Sequence, residues 1–420
     1  MAPALRRCVG VDTSTFARHH WSRRPLLSRA TALPGPFGDL LSPGDVDELL
    51  AVRGQRTPFF RVVRDGATVD PVRYTRSAGV GPRRVGDLAD ADRIFELYGA
   101  GATIVLQALH RTWPPVAAFC RALAADLGHP TQANAYVTPP GSRGFAPHHD
   151  THDVFVLQVD GHKRWQVYEP VLSLPLRRQP SADHVGAGGR LLPQDAAPLL
   201  SVVLSAGDAL YLPRGYVHAA ETSEDRSVHL TVGVLALTWY DVLQDVLAQA
   251  ADEPAFRQAL PLGVDAGDPD GGLAAEMAAF LSRAAGWLGR REPDTLLAPL
   301  RARLARAMPP EPVRVLAQTD AARHLSPGTP LRVRRGLAWS LSAPPGTGRL
   351  VLRLPDRDVA MPGLVEPALR RALAGAPVSA AGLAPFPAED GIVLLRRLLR
   401  EGVLVPAGAD GAGKVTPPAP

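Results

Sequence analysis

Short runs of β-branched and aromatic residues, separated by Gly, Pro and Asp, dominate the middle of the chain. They predict strands at 133–137, 154–159, 164–168, 201–204, 209–212 and 228–234. Many short strands punctuated by turn residues are typical of a β-sandwich or a barrel. We therefore expect the region between residues 133 and 237 to be the β-rich centre of the fold.

The residues ahead of this region alternate between helical and extended patterns. Ser42 is followed by early carboxylates and then by leucines, which is the pattern of a helix start. The remaining predictions are strands at 59–63 and 102–109 and helices at 87–98 and 113–127. The sequence thus predicts a mixed segment that leads into the barrel.

The residues after the barrel have a different texture. Residues 239–307 are rich in Ala and Leu with charges at helical spacing, and we expect helices broken near 263–272. Further on, the pattern predicts strands at 331–333 and 350–354 and helices at 365–374 and 391–402. The Gly/Ala/Pro-rich tail at 407–420 is expected to be disordered.

Composition narrows the class of protein. A chain of 420 residues predicts two or three domains, and the net charge of +5 allows a basic face near RNA without demanding one. Cys8 and Cys120 offer no disulfide framework, which favours a reducing cytoplasm. We find no run of about 18 apolar residues and no secretory signal within 1–29. The expectation is a cytoplasmic protein without a membrane segment.

The candidate chemistry lies in two motifs. His148 and Asp150 form an H-x-D pair at a strand edge, where side chains two residues apart lie on the same side. A second histidine, His218, follows a Gly207-Asp208 turn and an apolar strand that leads to Pro-x-Gly-x-x-His. Two histidines and one carboxylate occupy one face of a metal and leave the other free, which is diagnostic of non-haem Fe(II) oxygenases.

A structural role is the competing interpretation of each motif. H-x-D triplets are common by chance, and a histidine near a Gly-Asp turn is usually a surface or capping residue. The pairing of both motifs at the right separation favours the metal site. His149 should face away from the metal by strand alternation, and we count neither it nor His152 as a ligand.

The surrounding residues resemble the JmjC-type ribosomal oxygenases, which include the eukaryotic histidyl hydroxylases of ribosomal proteins and a bacterial arginyl hydroxylase. The matching residues are Asn134, Tyr136, Pro139, Gly141, Pro147-His148-x-Asp150, Val154-Phe155 and Gly161-x-Lys163-x-Trp165. The resemblance implies an α+β fold with a double-stranded β-helix of the cupin or jelly-roll type. The implied domains are a JmjC catalytic domain at 1–238, a helical dimerisation region at 239–309, a winged-helix-like domain at 310–406 and a disordered tail at 407–420.

The resemblance also implies a cofactor set and a role for each pocket residue. Fe(II) would be held by His148, Asp150 and His218 as the catalytic centre, with 2-oxoglutarate as co-substrate and O2 as oxidant. Lys163 would bind the distal carboxylate of 2-oxoglutarate. The residues expected to line that pocket are Asn134, Tyr136 and Thr231.

These pocket assignments have structural alternatives. Lys163 follows Asp160-Gly161 and, from the residues alone, would be a solvated hairpin lysine. The other three pocket residues are equally compatible with hydrogen-bonded positions in a barrel core. Lys163 also matches the histidyl hydroxylases, because the arginyl hydroxylase has an arginine there. This favours a histidyl target slightly.

The implied function is hydroxylation of a protein side chain, histidyl or arginyl, in a ribosomal protein. A homodimer is expected, and direct nucleic-acid binding is not, because Arg396, Arg397 and Arg400 are interpreted as a solvated helix face. The alternatives are the same chemistry on a natural-product peptide or small molecule, and a non-catalytic metal-binding cupin module. A histone lysine demethylase is disfavoured, since the chain has no zinc-binding Cys cluster and no reader domain.

Overall fold

Contacts divide the chain into two compact units, Met1–Ala236 and Leu237–Pro420. The computed structural model describes residues 3–142, 146–185, 191–192, 196–222, 224–260, 262–263 and 273–408. Most of the expected disordered tail and most of the expected helix break near 263–272 therefore lie outside the described residues. None of the described helices is both long enough and apolar enough to cross a bilayer.

The first unit combines short helices with many strands. Its helices are α1 Pro3–Arg6, α2 Thr13–His19, α3 Pro43–Ala51, α4 Ala91–Gly99, α5 Leu109–Thr112 and α6 Pro114–Leu127. Its strands are β1 Leu26–Ser28, β2 Phe60–Arg64, β3 Ala67–Thr68, β4 Thr75–Val80, β5 Arg83–Ala89, β6 Thr103–Leu106, β7 Thr131–Thr138, β8 Asp153–Tyr168, β9 Leu200–Ser205, β10 Ala209–Leu212, β11 Val217–Glu221 and β12 Ser227–Val234.

The strands form a large antiparallel sheet and a smaller one that share β8. The large sheet runs in the order β1-β10-β8-β12-β7-β6-β2-β3. In the small sheet, β9 and β11 pair with the second half of β8 on its two sides. The last strand of the unit in sequence, β12, therefore lies in the middle of the large sheet, between β7 and β8.

Strand β8 passes from one sheet to the other at Gly161. The sequence predicts two strands here, at 154–159 and 164–168, and this separation is wrong because β8 continues from Asp153 to Tyr168. Gly161 has φ of +63°, and a Cβ at this position would lie 1.8 Å from the carbonyl oxygen of Arg226. Only a residue without a side chain fits, so glycine makes the bend possible.

Gly161→Ala is expected to lower the free energy of unfolding by about 2–4 kcal/mol, because alanine disfavours positive φ and the Arg226 backbone would have to move. Urea denaturation measures the effect. Gly79→Ala is the matched control in β4, where a Cβ would meet nothing within 4 Å. Equal midpoints for the two variants would contradict the role assigned to Gly161.

The two sheets face each other and enclose a mixed interior. Apolar side chains from both sheets, including Val156, Leu212 and Val167, pack together between them. On the outer face of the large sheet, Phe155, Leu157 and their neighbours pack in the core that includes helix α6. The barrel predicted from the strand pattern is confirmed.

Other predicted elements differ at their ends. The predicted helix at 87–98 begins only at Ala91, after an Asp90 cap, because Asp87 and Leu88 belong to the β4–β5 hairpin. The predicted strand at 102–109 ends at Leu106. Three features were not predicted from the sequence: β1, the β4–β5 hairpin and β11, which carries His218.

The second unit is mostly helical at first and mixed at its end. Its helices are α7 Trp239–Ala250, α8 Leu273–Gly289, α9 Pro293–Ala307, α10 Val315–Arg323, α11 Glu366–Ala372 and α12 Ala388–Arg400. Its strands are β13 Leu331–Val333, β14 Ser340–Ser342, β15 Arg349–Arg353, β16 Asp358–Pro362 and β17 Leu404–Pro406. Leucines of α12, such as Leu395 and Leu398, are fully buried in a core shared with α11 and β15.

Candidate metal centre and interior pocket

Two histidines from distant parts of the sequence are placed side by side by backbone pairing. His148 and His218 form an isolated antiparallel bridge. The amide of His148 donates to the carbonyl of His218 at 3.1 Å, and the amide of His218 donates to the carbonyl of His148 at 2.8 Å. Their ring centroids are 4.5 Å apart. The bridge extends the small sheet beyond β11 and fixes both side chains on the same face.

Asp150 completes a group of three potential metal ligands. One carboxylate oxygen lies 3.7 Å from Nε2 of His218, and one ligand atom from each of the three residues lies within 4.8 Å of the other two. The carbonyl of Asp150 also accepts a 3.1 Å hydrogen bond from the amide of Gly215, which precedes His218. The structure thus brings together the three residues that the sequence predicts as ligands.

Hydrogen bonds orient both imidazoles. Nδ1 of His148 lies 2.8 Å from the carbonyl oxygen of Ala146, and Nδ1 of His218 lies 3.1 Å from that of Tyr216. Because a carbonyl can only accept, these contacts favour the tautomer with the proton on Nδ1, in which the lone pair on Nε2 can bind a metal. Metal-binding histidines are oriented in this way in known sites.

The electrostatics suit a divalent metal. Burial lowers the pKa of His218, with His148 adding to the effect, so the imidazole is neutral. Burial alone would raise the pKa of Asp150, but the neighbouring histidines outweigh it and the pKa is lowered. Two imidazoles and one carboxylate, half-open to solvent at His148 and Asp150, fit the donor set of Fe(II).

A buried network holds the loop that carries His218. The carboxylate of Asp153 is fully buried and accepts hydrogen bonds from Tyr211 Oη at 2.7 Å and Ser22 Oγ at 3.1 Å. It also accepts from the backbone amide of Arg214 at 3.0 Å. The N-terminal segment and the Pro213–Gly215 turn are thereby fixed to the first residue of β8.

The predicted pocket residues Asn134, Tyr136 and Thr231 share one face of the large sheet. Asn134 pairs directly with Thr231 across β7 and β12, and Tyr136 lies two residues further along β7. Asn134 also has a structural task, because its Oδ1 accepts a 3.0 Å hydrogen bond from the amide of Ala108, a residue with φ of +55°. The structure therefore places these three side chains together, and it gives Asn134 a second role.

Lys163 points into the barrel and is not a solvated hairpin lysine. It is only 3% exposed, and its Nζ donates to Thr138 Oγ1 at 3.1 Å. Among the described residues no carboxylate lies within ion-pairing distance of it. Burial lowers the pKa of Lys163 to about 7. A buried ammonium without a counterion is costly, so the site is suited to an anionic ligand.

Composition strengthens this conclusion about Lys163. Of the 46 basic residues only Lys163 and Lys414 are lysines, and Lys414 lies outside the described residues. Arginine is thus the chain's ordinary basic residue. A lysine inside the barrel is an exception that the general composition does not explain.

Three further residues around the pocket were not predicted from the sequence. His229 is 2% exposed, stacks on Tyr136 with ring centroids 5.0 Å apart and meets the edge of Trp165. Thr138 accepts the hydrogen bond from Lys163 Nζ, and Arg61 contacts Tyr136 through a side-chain hydrogen bond. Strand alternation could have found Thr138 and His229, since they lie two residues from Tyr136 and Thr231.

Buried polar atoms inside the barrel also point to a ligand. Nε1 of Trp165 and Nδ1 of His229 have no hydrogen-bond partner among the described residues. Burial, followed by the charge of Lys163, lowers the pKa of His229 well below its usual range, so its ring is neutral. Unsatisfied polar groups in a core usually mark a functional site or a missing ion or water.

The barrel sequence matches known proteins. Residues 110–242 match the JmjC domain family. Ribosomal oxygenase 1 of Gallus gallus is 34% identical over 254 residues, which are 59% of this chain and 40% of that protein. A Drosophila persimilis protein described as a bifunctional lysine-specific demethylase and histidyl-hydroxylase NO66 is 29% identical over 250 residues, 59% of this chain and 34% of that protein.

A solved structure matches the fold. It is that of YcfD, described as a ribosomal oxygenase from Escherichia coli in complex with cobalt and 2-oxoglutarate. The match covers 96% of this chain and 99% of the YcfD chain, with a TM-score of 0.53 and 16% sequence identity.

These matches show that residues 110–242 are similar to the JmjC domain. The matching relatives include proteins described as ribosomal oxygenases, and the resemblance seen in the motif residues is confirmed. The chain spans less than half the length of the curated relatives it matches.

Proposed function

We propose that this protein is an Fe(II)- and 2-oxoglutarate-dependent oxygenase that hydroxylates a side chain of a ribosomal protein. The observation that carries the proposal is the group of His148, Asp150 and His218 at a barrel whose interior holds Lys163, a buried cation with no carboxylate partner among the described residues. A simple metal-binding module has no need of such a cation.

The chain's residues would divide the work between metal and co-substrate. His148, Asp150 and His218 would hold Fe(II), which when bound supplies the site where 2-oxoglutarate and O2 react. Lys163 would bind the distal carboxylate in a charge-assisted hydrogen bond, with Thr138 holding its Nζ in place. The remaining lining, Asn134, Tyr136 and Thr231, would orient the co-substrate and exclude water.

The target class is proposed from the relatives. One relative is described as a ribosomal oxygenase and another as a histidyl-hydroxylase, and the YcfD structure contains cobalt and 2-oxoglutarate. Lys163, in place of the arginine that the resemblance gives the arginyl hydroxylase, favours a histidyl target.

The test uses ribosomal proteins from cells that lack this gene. They are incubated with iron-loaded protein and 2-oxoglutarate and then analysed by peptide mass spectrometry. We expect one histidyl or arginyl peptide to gain the mass of one oxygen atom, and His218→Ala to abolish the gain.

Succinate formation without a modified ribosomal peptide would favour a small-molecule or natural-product target. No succinate and no 2-oxoglutarate binding would favour the non-catalytic module, and loss of methyl groups from lysine would favour a demethylase.

Binding of 2-oxoglutarate is expected to weaken as the pH rises above about 7. The free protein loses the charge of Lys163 there, whereas a bound carboxylate raises the pKa of Lys163 and keeps it protonated. Affinity should then fall by about tenfold per pH unit until the pKa of the complex is reached. Isothermal titration with saturating Mn(II) at several pH values measures the slope.

Lys163→Arg is the control for this pH dependence, because a guanidinium stays charged throughout the range. The affinity of this variant for 2-oxoglutarate should not change with pH over the range in which the affinity of the wild type falls. With only two lysines in the chain, ¹³C labelling of lysine lets NMR follow the titration of Lys163 directly. Identical slopes for wild type and Lys163→Arg would assign the pH dependence to another group.

We also propose that residues 239–309 mediate a homodimer. Trp239, Leu243 and Leu247 lie four residues apart on α7 and are exposed, Trp239 by 87%. An exposed apolar stripe of this kind is commonly covered by a partner. Light scattering should give twice the mass of the chain.

Residues 310–406 are proposed to be winged-helix-like. Helices α10, α11 and α12 accompany a three-stranded antiparallel sheet, β14-β15-β16. This mixture of three helices and a small sheet supports the proposal, which otherwise rests on the resemblance.

A further inference from the structure

A groove runs between α10 and α12 in the second unit. The helices pack antiparallel, and Nε2 of Gln318 donates to the carbonyls of Leu399 at 2.8 Å and Leu404 at 2.7 Å. The groove has a volume of about 620 Å³. Gln318 and Leu399 form its buried floor, and its walls carry Thr319, Arg323, Arg396 and Arg400. We call this the α10–α12 groove.

Three arginines from two helices line this groove. Arg396 and Arg400 lie one turn apart on α12, and Arg323 faces them from the end of α10. Nε of Arg396 donates to the carbonyl of Ala322 at 3.1 Å, which fixes the base of that side chain. Within the part of the chain that the structure describes, none of the three forms an ion pair with a carboxylate.

The neighbouring arginine behaves differently. Arg397 forms a 2.8 Å ion pair with Glu401, which also binds Arg357. From the sequence, Arg396, Arg397 and Arg400 are all expected to lie on one solvated helix face. The structure separates them, because Arg397 is neutralised locally while the other two converge with Arg323 on one groove.

We propose that the α10–α12 groove binds the phosphate backbone of RNA. Guanidinium groups match phosphate oxygens in fork geometry, and cations on two walls suit a backbone that runs between them. An acidic protein segment would need an apolar anchor pocket, and the floor between the arginines is closed by Gln318 and Leu399. The choice of RNA over DNA rests on the proposed function, because a ribosomal protein is met beside RNA.

The proposal replaces the expectation that the C-terminal region does not bind nucleic acid directly. It assigns that region a role in bringing the barrel to an RNA-bound substrate. Binding would be independent of sequence and sensitive to salt, because phosphate contacts carry no base information.

The test is fluorescence anisotropy of a labelled single-stranded RNA with the full-length protein at several salt concentrations. Arg396→Gln/Arg400→Gln should weaken binding by about tenfold or more at about 50 mM salt and lower the salt slope by about 1.4, since each single-strand phosphate contact contributes about 0.7. Arg323→Gln should have about half that effect on the slope. Arg397→Gln removes the same charge from the same helix and should change binding by less than about twofold.

The outcomes separate this proposal from the proposed function. RNA binding that is absent in the wild type, or equally reduced by Arg397→Gln, would overturn the groove assignment. Polyglutamate that competes with RNA at equal charge would show a carboxylate ligand and would also overturn it. None of these residues lies in the barrel, so 2-oxoglutarate turnover should be unchanged in every groove variant. Circular dichroism confirms that the variants are folded.

Discussion

His148→Ala is expected to reduce 2-oxoglutarate turnover by about a thousandfold or more, a loss of about 4 kcal/mol of transition-state stabilisation. The remaining ligands, Asp150 and His218, would bind a divalent ion weakly and leave it in the wrong geometry. Succinate formation measures the rate, and Mn(II) titration by electron paramagnetic resonance measures the metal affinity. Both should fall together if His148 is a ligand.

His149→Ala is the sharpest control for this assignment. His149 is adjacent in sequence and 3% exposed, but its ring lies beside His184 rather than in the ligand group. The His149→Ala variant should bind metal as tightly as the wild type, and its rate of 2-oxoglutarate turnover should be within about threefold of the wild-type rate. We expect only some loss of stability. A loss of metal binding in His149→Ala but not in His148→Ala would show that the two histidines have been assigned in the wrong order.

Lys163→Met is expected to weaken 2-oxoglutarate binding by about a hundredfold. Methionine keeps an unbranched side chain, one atom shorter, but loses the charge, and charge-assisted hydrogen bonds contribute about 1.5–3 kcal/mol each. Titration calorimetry with saturating Mn(II) measures the dissociation constant. Metal affinity without co-substrate should be unchanged, because Lys163 is not one of the metal ligands.

The stability of Lys163→Met distinguishes a ligand-binding role from a structural one. If Lys163 serves the fold, removal of its bond to Thr138 should lower the free energy of unfolding. If it serves a ligand, the apo protein should be equally stable or more stable by about 1 kcal/mol, because an uncompensated buried charge has been replaced by an apolar group. Urea denaturation of the apo protein gives the answer. A destabilised variant with normal co-substrate binding would contradict the proposed role.

The metal centre could be predicted from the sequence because its ligands lie in local patterns. His148 and Asp150 are two residues apart on extended chain, and the Pro-x-Gly turn before His218 is equally local. The strand pattern likewise predicts a barrel, since β10 is a continuous apolar run and β7 and β12 contain apolar and β-branched residues interspersed with polar ones. These features depend on periodicity and turn chemistry, which a single sequence contains.

The strand that carries His218 could not be predicted in this way. The residues of β11, Val217–Glu221, include two alanines and one glutamate and have little intrinsic strand preference. The strand forms because β8 pairs with it on one side and His148 on the other. Long-range pairing of this kind overrides local propensity.

Contacts between distant strands also hide residues of the pocket. Arg61 lies on β2, far from the motifs, and reaches Tyr136 only because β6 brings the two strands onto one sheet. The difference between Arg396 and Arg397 is of the same kind. Both are arginines on one helix, and only the packing of α10 against α12 shows which of them faces a groove.

The position of β12 constrains how the first unit is made. Synthesis runs from the N-terminus, so β7 and β8 emerge long before the strand that joins them. Until residue 234 has left the ribosome, each of these strands exposes an unpaired edge with apolar side chains, and such edges associate with other chains. Shortened forms that stop before Ser227 should therefore aggregate rather than fold, even though they contain all three metal ligands.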